Sequence, residues 1–214
     1  MDEKKEKSFK NREELIEAAM IEFGEKGYEN ASLNNILKEA EISKGTFYYH
    51  YENKEDLYMC LMDIIGEEKL RFMSKEMASM NLNEDIFTIL KAFIKSGMKF
   101  AHKNPHINKF TQGFVREWGS PVHREILNKY YIDRADYLNQ IAKKYGFKNM
   151  DNIIQRAYER EEIREDLPKE FVINIINYLF LNLHQIVNPK GLDEYEKNAN
   201  YLVDFLRDGL AKKQ

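Results

Sequence analysis

The sequence has few of the residues on which several classes of protein depend. Its 214 residues include one cysteine, four prolines and ten glycines. The single thiol, Cys60, excludes a disulfide framework and a cysteine-based zinc site, and it is typical of a reducing compartment. Glycine and proline are too scarce for the many turns of an all-β sandwich. These absences favour a helical protein.

Long apolar runs are also missing. The most apolar stretch, residues 171–187, is shorter than the ~20 residues that span a bilayer, and it contains amides and a histidine. We interpret it as a buried helix and expect no contact with a membrane. Residues 1–20 have mixed charge and no apolar core, so we expect no signal peptide and a cytoplasmic location.

The charge balance gives a third exclusion. The formal net charge is -3, which argues against a protein that coats nucleic acid without regard to sequence. Residues 1–60 hold nine Lys or Arg against fourteen Asp or Glu, and five of these acids lie on the first predicted helix, which can face away from nucleic acid. We therefore expect few phosphate contacts.

What the sequence does contain is helical periodicity along nearly its whole length. Ile16, Ala19 and Phe23, for example, share one face of a helix that should end before Gly27. The later patterns predict two short helices capped by Ser32 and Ser43, and longer ones over residues 54–77, 84–103, 107–117, 121–145, 150–164, 168–187 and 193–211. The predicted fold is all-α, with a three-helix domain over residues 1–53 and a larger helical bundle over residues 54–214.

Residues 32–57 have the organisation of a helix-turn-helix, in which two short helices are joined by a tight turn. The second helix begins after Ser43, and residues 42–51 include no acid. This helix displays a cation, hydroxyl groups and aromatic rings: Lys44, Thr46, Tyr48, Tyr49 and His50. Such a surface suits the phosphate-walled major groove of DNA. Lys54 adds a cation at the start of the next helix, where main-chain amides also favour phosphate.

The residues alone leave other interpretations open. An aromatic cluster such as residues 47–51 is more typical of packing than of recognition, and Phe47 and Tyr51 are the two members that we expect in the core. His102 and His106 have a spacing found at metal sites, but they straddle a proline and do not share a helix face, so we predict no metal site. Phosphate loops, nucleophile elbows and catalytic triads are not apparent. We expect no enzyme, no catalytic residue and no cofactor.

Residues 16–57 also match a known pattern in their spacing. Gly27-Tyr28 follows Phe23 at the end of the first helix, Ser32 opens the second, and residues 43–57 read Ser-x-Gly-Thr-x-Tyr-x-His-x-x-x-Lys-Glu-x-Leu. In these features the segment resembles the DNA-binding domain of the tetracycline-repressor (TetR) family. The resemblance implies that the DNA-binding residues are Ser32, Ser43, Lys44, Gly45, Thr46, Tyr48, Tyr49, His50 and Lys54.

The resemblance further implies a ligand-responsive repressor that binds palindromic, double-stranded operator DNA as a homodimer. A mostly apolar small molecule would enter the C-terminal bundle and release the DNA. The expected pocket residues are large and mainly aromatic: Phe93, Phe110, Phe114, Trp118, Tyr137, Tyr178 and His184. Helices 168–187 and 193–211 are the expected dimer interface. The alternative is a helical small-molecule-binding or enzymatic domain with a vestigial helix-turn-helix.

Two positions depart from the family pattern. Tyr51 stands where phenylalanine is usual, and the turn reads Ala40-Glu41-Ile42 in place of Ala-Gly-Val. Glycine is favoured at this turn because the residue that ends a helix often adopts the left-handed conformation, which costs other residues ~1–2 kcal/mol. We therefore expect strain at Glu41.

Overall fold

The computed structural model describes residues 9–145, 150–187 and 192–212, and within these ranges it contains helices and no strand, as predicted. The helices are α1 (Arg12–Asn30), α2 (Leu33–Glu39), α3 (Lys44–His50), α4 (Lys54–Ser79), α5 (Ile86–Lys103), α6 (Pro105–Arg116), α7 (Pro121–Asp133), α8 (Ala135–Lys144), α9 (Met150–Glu159), α10 (Lys169–Leu181), α11 (Leu183–Val187) and α12 (Leu192–Leu210).

Two of the predicted long helices are each broken into two, so the prediction of continuous helices there is wrong. The helix expected over residues 121–145 is interrupted at Arg134, whose side chain pairs with Asp63 of α4 at 3.0 Å. The helix expected over residues 168–187 is interrupted at Asn182, whose side-chain amide donates to the carbonyl oxygen of Tyr178 at 2.8 Å. Such a local side-chain bond competes with helix continuation.

The chain forms two compact units. The first comprises residues 1–69 and 101–141, and the second comprises residues 70–100 and 142–214. By packing, α6 and α7 therefore belong with the three N-terminal helices. The predicted functional boundary between residues 53 and 54 stays a prediction.

In the first unit, α1 and α6 approach each other at two glycines. A Cβ atom on Gly24 would lie 2.5 Å from the carbonyl oxygen of Lys109, and one on Gly113 would lie 2.5 Å from the carbonyl oxygen of Phe23. Neither position has room for a side chain. The Phe23 ring packs edge-on against Tyr58, with centroids 4.9 Å apart, in the core of the unit. That contact packs α4 against α1, and the edge-on contact of Phe23 with Phe110, with centroids 6.4 Å apart, packs α6 against α1.

In the second unit, α10 and α12 are apolar on two sides. Val172 and Val203 are fully buried in the core of the unit. Four aromatic side chains on the same two helices are more than half exposed: Phe171, Tyr178, Tyr201 and Phe205. Among the described residues, no helix combines the length and the apolar character that crossing a membrane requires.

Candidate nucleic-acid interface

The two short helices α2 and α3 begin at the predicted caps. Ser32 Oγ accepts a hydrogen bond from the main-chain N–H of Asn35 at 3.3 Å, and Ser43 Oγ accepts one from Thr46 at 3.0 Å. The hydroxyl groups of Ser43 and Thr46 also pair with each other at 2.9 Å. Each cap satisfies an amide that the first helical turn leaves free. Both helix starts are thus confirmed.

The turn between α2 and α3 is left-handed at Glu41, as predicted, with φ of 53°. The N–H of Ile42 donates to the carbonyl of Leu37 at 2.9 Å, and the N–H of Glu41 donates to that of Lys38 at 3.2 Å. This pair of bonds is the Schellman motif, which usually has glycine at the left-handed position. Ile42 is buried, so the turn also contributes to the core.

Helix α3 has an inner and an outer face. Phe47 is fully buried and stacks on buried Tyr51, with centroids 5.4 Å apart, so the prediction that both belong to the core is confirmed. On the outer side Tyr48 is 57% exposed and Tyr49 85% exposed. Ser43, Lys44, Gly45 and Thr46 are also exposed. The structure therefore presents these predicted residues together on one accessible helix, with the buried face fixing its position.

Two residues before α1 contact the helix-turn-helix, and the sequence analysis missed both. The ring of Phe9 stacks on His50, with centroids 4.1 Å apart and planes 13° apart. The Asn11 side chain donates to the carbonyl oxygen of Ala40 at 3.3 Å. Neither residue belongs to a periodic pattern, so neither contact could be predicted from the sequence. His50 is half-buried as a result and presents less of its ring than Tyr48 or Tyr49.

Lys54 points into the protein. Its ammonium group donates to three carbonyl oxygens, those of Tyr28 at 2.6 Å, Ala31 at 3.0 Å and Glu29 at 3.3 Å. It also lies 4.6 Å from the centroid of the Tyr28 ring. Burial lowers the pKa of Lys54, and the nearby Glu117 and Glu29 carboxylates oppose that shift. With three N–H groups already engaged, Lys54 stabilises the end of α1, a role that the phosphate-binding prediction did not include.

The predicted pocket residues occupy several different environments. Phe93 is buried in the core of the second unit. Tyr178 belongs to the same unit, but its side chain is 65% exposed. In the first unit Phe110 is buried against Tyr58, and Tyr137 donates to Glu67 at 3.3 Å. Phe114 lies beside Phe110 on α6, with centroids 6.4 Å apart, and its ring is 5.6 Å from that of Trp118, which lies just beyond the end of α6. The side chain of His184 lies outside the described residues. A common pocket for these residues stays a prediction.

One buried imidazole beside Phe114 was not among the predicted sites. His123 is only 2% exposed, and its ring meets Phe114 edge-on, with centroids 4.4 Å apart. Burial lowers the pKa of His123, while the main-chain carbonyl and the carboxylate of Glu117 oppose that shift. Across the described part of the chain, no three His, Cys, Asp or Glu side chains are grouped as a metal site would require.

A cleft of about 490 Å³ opens in the second unit. Its lining consists of Asp85, Phe87, Glu161, Glu162, Arg207, Ala211 and Lys212. The charged groups there pair mainly with one another, as Lys212 does with Glu161 at 2.7 Å. None of the predicted pocket residues whose side chains the structure describes lines this cleft.

The chain is similar to known proteins both in its N-terminal region and over longer stretches of its length. The family model described as "Bacterial regulatory proteins, tetR family" matches residues 8–59. The "Probable acrEF/envCD operon repressor" of Escherichia coli (strain K12) is 25% identical over 210 residues, 94% of this chain and 86% of that protein. The biofilm operon icaADBC negative transcriptional regulator IcaR of Staphylococcus epidermidis is 26% identical over 145 residues, 61% of this chain and 77% of that protein.

Solved structures share the fold. The transcriptional regulator FadR of Bacillus subtilis, in complex with stearoyl-CoA, has a TM-score of 0.63 at 18% identity, covering 92% of this chain and 98% of that one. The SmeT–triclosan complex has a TM-score of 0.64 at 16% identity, covering 95% and 92%. An exposed, capped recognition helix on an all-α scaffold defines a helix-turn-helix transcriptional regulator. The match over residues 8–59 and the similarity of the chain to named repressors support a transcriptional regulator of the TetR family.

Proposed function

We propose that the chain is a ligand-responsive transcriptional repressor that acts in the cytoplasm as a homodimer on palindromic operator DNA. The observation that supports this most strongly is the outer face of α3, where Lys44, Tyr48 and Tyr49 are exposed and no acid interrupts the helix. A short helix held from behind by Phe47 can enter the major groove without rearrangement. Two relatives named as a repressor and a negative regulator support repression.

The exposed aromatic side chains of α10 and α12 support the homodimer. Phe171 and Tyr178 are 51% and 65% exposed on α10, and Tyr201 and Phe205 are 58% and 73% exposed on α12. Soluble monomers seldom leave several large apolar side chains grouped in water. A symmetric partner would bury them, and binding to successive major grooves requires the two recognition helices of such a dimer to lie about 34–36 Å apart, one turn of DNA.

An effector with a large apolar part is the second element of the proposal. The neighbours solved with stearoyl-CoA and with triclosan support such a ligand. Phe114 on α6 and Trp118, just beyond the end of α6, offer aromatic surface, and Trp118 is 37% exposed. We propose that effector binding displaces α4, which begins next to the helix-turn-helix, and so changes the separation of the two recognition helices.

A selection experiment tests DNA recognition. The purified chain is mixed with a pool of random-sequence duplexes, bound duplexes are recovered over several rounds, and the product is footprinted. We expect an enriched inverted repeat whose half-sites are about one helical turn apart. Failure to enrich any sequence would contradict the proposal and favour a small-molecule-binding or enzymatic domain that keeps an inactive helix-turn-helix.

The effector is tested by titrating a panel of hydrophobic compounds while following Trp118, the single tryptophan. A true effector should change its emission and release the selected duplex over the same concentration range. Release by polar metabolites or metal ions alone, with Trp118 emission unchanged, would contradict the proposed effector class and leave DNA recognition intact.

A further inference from the structure

The turn that joins α1 to α2 depends on partners from outside the N-terminal helices. A kink at Gly27 separates the last residues of α1 from the rest of the helix, and we call residues 27–31, from this kink to the residue before Ser32, the α1–α2 turn. Gly27 has φ of 76° and ψ of 171°, which interrupts the helical hydrogen bonding of α1. The main-chain N–H groups that follow it therefore need other acceptors. Because Ser32, the cap of α2, follows directly, the path of this turn sets where the helix-turn-helix begins.

Glu117, at the C-terminal end of α6, supplies those acceptors. One carboxylate oxygen accepts from the N–H of Tyr28 at 2.7 Å, and the other accepts from the N–H of Glu29 at 3.4 Å. A Cβ atom on Gly27 would lie 2.2 Å from Oε1 of Glu117, so only glycine admits the carboxylate. A charged acceptor makes the stronger kind of hydrogen bond.

The carbonyl groups on either side of the turn also have charged partners. Arg116, next to Glu117, donates to the carbonyl oxygens of Gly24 at 2.9 Å and Glu25 at 3.1 Å. Lys54, at the start of α4, donates to those of Tyr28, Glu29 and Ala31. Side chains from α6 and α4 therefore hold opposite polar edges of the same turn.

We propose that Glu117 is a positioning residue for operator binding: it fixes the α1–α2 turn and thereby the orientation of the helix-turn-helix. The inference rests on the proposed DNA-binding function and adds to it a residue of α6 far from α3 in the sequence. Glu117 touches no DNA in this account. Its removal should lower the population of molecules whose recognition helix is correctly placed.

The test uses the full-length chain, the selected duplex and a scrambled duplex of equal length. We expect Glu117→Ala to weaken binding to the selected duplex about tenfold, as loss of a charged acceptor for two amides implies, while binding to the scrambled duplex and the salt slope stay as in wild type. Glu117→Gln keeps one acceptor oxygen, so its affinity for the selected duplex should fall by about threefold. Glu125→Gln, an exposed glutamate on α7, is the matched control and should bind as wild type does.

Amide hydrogen exchange separates positioning from general destabilisation. In Glu117→Gln, exchange should accelerate in residues 24–39 and remain unchanged in α10 and α12. Gly27→Ala should weaken operator binding by itself, because its Cβ displaces the carboxylate. Adding Glu117→Ala to Gly27→Ala should then reduce the operator affinity by less than a further twofold.

Each result decides the question. If wild type binds no duplex selectively, the proposed function fails before this inference is reached. If wild type binds the duplex but Glu117→Gln binds it equally well, Glu117 is not a positioning residue. The same conclusion follows if the losses of operator affinity caused by Gly27→Ala and Glu117→Ala multiply in the double variant. Uniform acceleration of exchange across the chain would show a merely structural role.

Discussion

The ammonium group of Lys54 lies 2.6 Å from the carbonyl oxygen of Tyr28, an arrangement that joins the first turn of α4 to the end of α1. A lysine at this position of a helix-turn-helix protein could equally face a phosphate, and the sequence analysis interpreted it so. In the structure Lys44 is instead the exposed cation of α3. The two lysines should therefore affect DNA binding in different ways.

The salt dependence of operator affinity distinguishes them. Lys44→Ala should reduce the slope of log K against log salt by about 0.9, the value for one phosphate contact, and leave thermal stability unchanged. Lys54→Met should leave the slope unchanged and lower the free energy of unfolding by about 2 kcal/mol, because three carbonyls lose their charged donor. Anisotropy titrations at four salt concentrations, with thermal unfolding of each variant, provide the comparison. A reduced slope for Lys54→Met would mean that Lys54 contacts a DNA phosphate after all.

Glu41→Gly should stabilise the protein. The left-handed conformation at Glu41 costs a non-glycine residue ~1–2 kcal/mol, whereas glycine adds only ~0.4–1 kcal/mol of entropy to the unfolded chain. The melting temperature should rise, and Glu39→Gly, inside α2, should lower it. A lower melting temperature for Glu41→Gly would mean that the Glu41 side chain makes a compensating interaction.

The exposed aromatic side chains of α10 and α12 can be tested as an interface by a single charge. Phe205→Glu places a carboxylate on the α12 side of the proposed interface and should shift sedimentation at micromolar concentration from dimer to monomer. Ile132→Glu is the matched control, because Ile132 is 77% exposed on α7 and lies in the other compact unit. A monomeric wild type, or a dimer that only Ile132→Glu dissociates, would exclude the α10–α12 interface.

The buried imidazole of His123 should make stability depend on pH. Burial lowers its pKa in the folded state below the ordinary 6.5, so the unfolded state takes up a proton first as the pH falls. The free energy of unfolding should therefore be highest above pH 6.5 and decrease below it. His123→Phe keeps an aromatic ring beside Phe114 and should show a smaller loss of melting temperature between pH 7 and 5. Equal losses in both proteins would exclude His123 as the titrating group.

Local patterns explain which features the sequence could predict. The caps at Ser32 and Ser43 and the left-handed Glu41 depend on residues within five positions of each other, so the spacing predicted them correctly. The bonds from Glu117 to Tyr28 and from Asn11 to Ala40 join residues 89 and 29 positions apart. Such pairs depend on how helices pack and leave no periodic signal. The break at Arg134 has the same origin, since its partner Asp63 lies on another helix.

The predicted pocket also depends on contacts between helices, which the sequence alone does not reveal. Phe110 and Phe114 lie four residues apart on α6 and adjoin each other, as expected of residues that share a helix face, whereas Trp118 lies beyond the end of α6 at Arg116. Whether a face lines a cavity or the core depends on its neighbours, and Phe110 packs beside Phe23 and Tyr58. The effector site therefore stays a prediction.

The most direct measurement of the central claim compares two exposed tyrosines in one operator-binding titration. Tyr48 on α3 and Tyr131 on α7 are each 57% exposed. Tyr48→Ala should weaken binding to the selected duplex by about tenfold or more, while helicity and oligomeric state remain those of wild type, and Tyr131→Ala should bind normally. Equal affinity of Tyr48→Ala and wild type, together with wild-type affinity for Lys44→Ala, would contradict the assignment of α3 as the recognition helix.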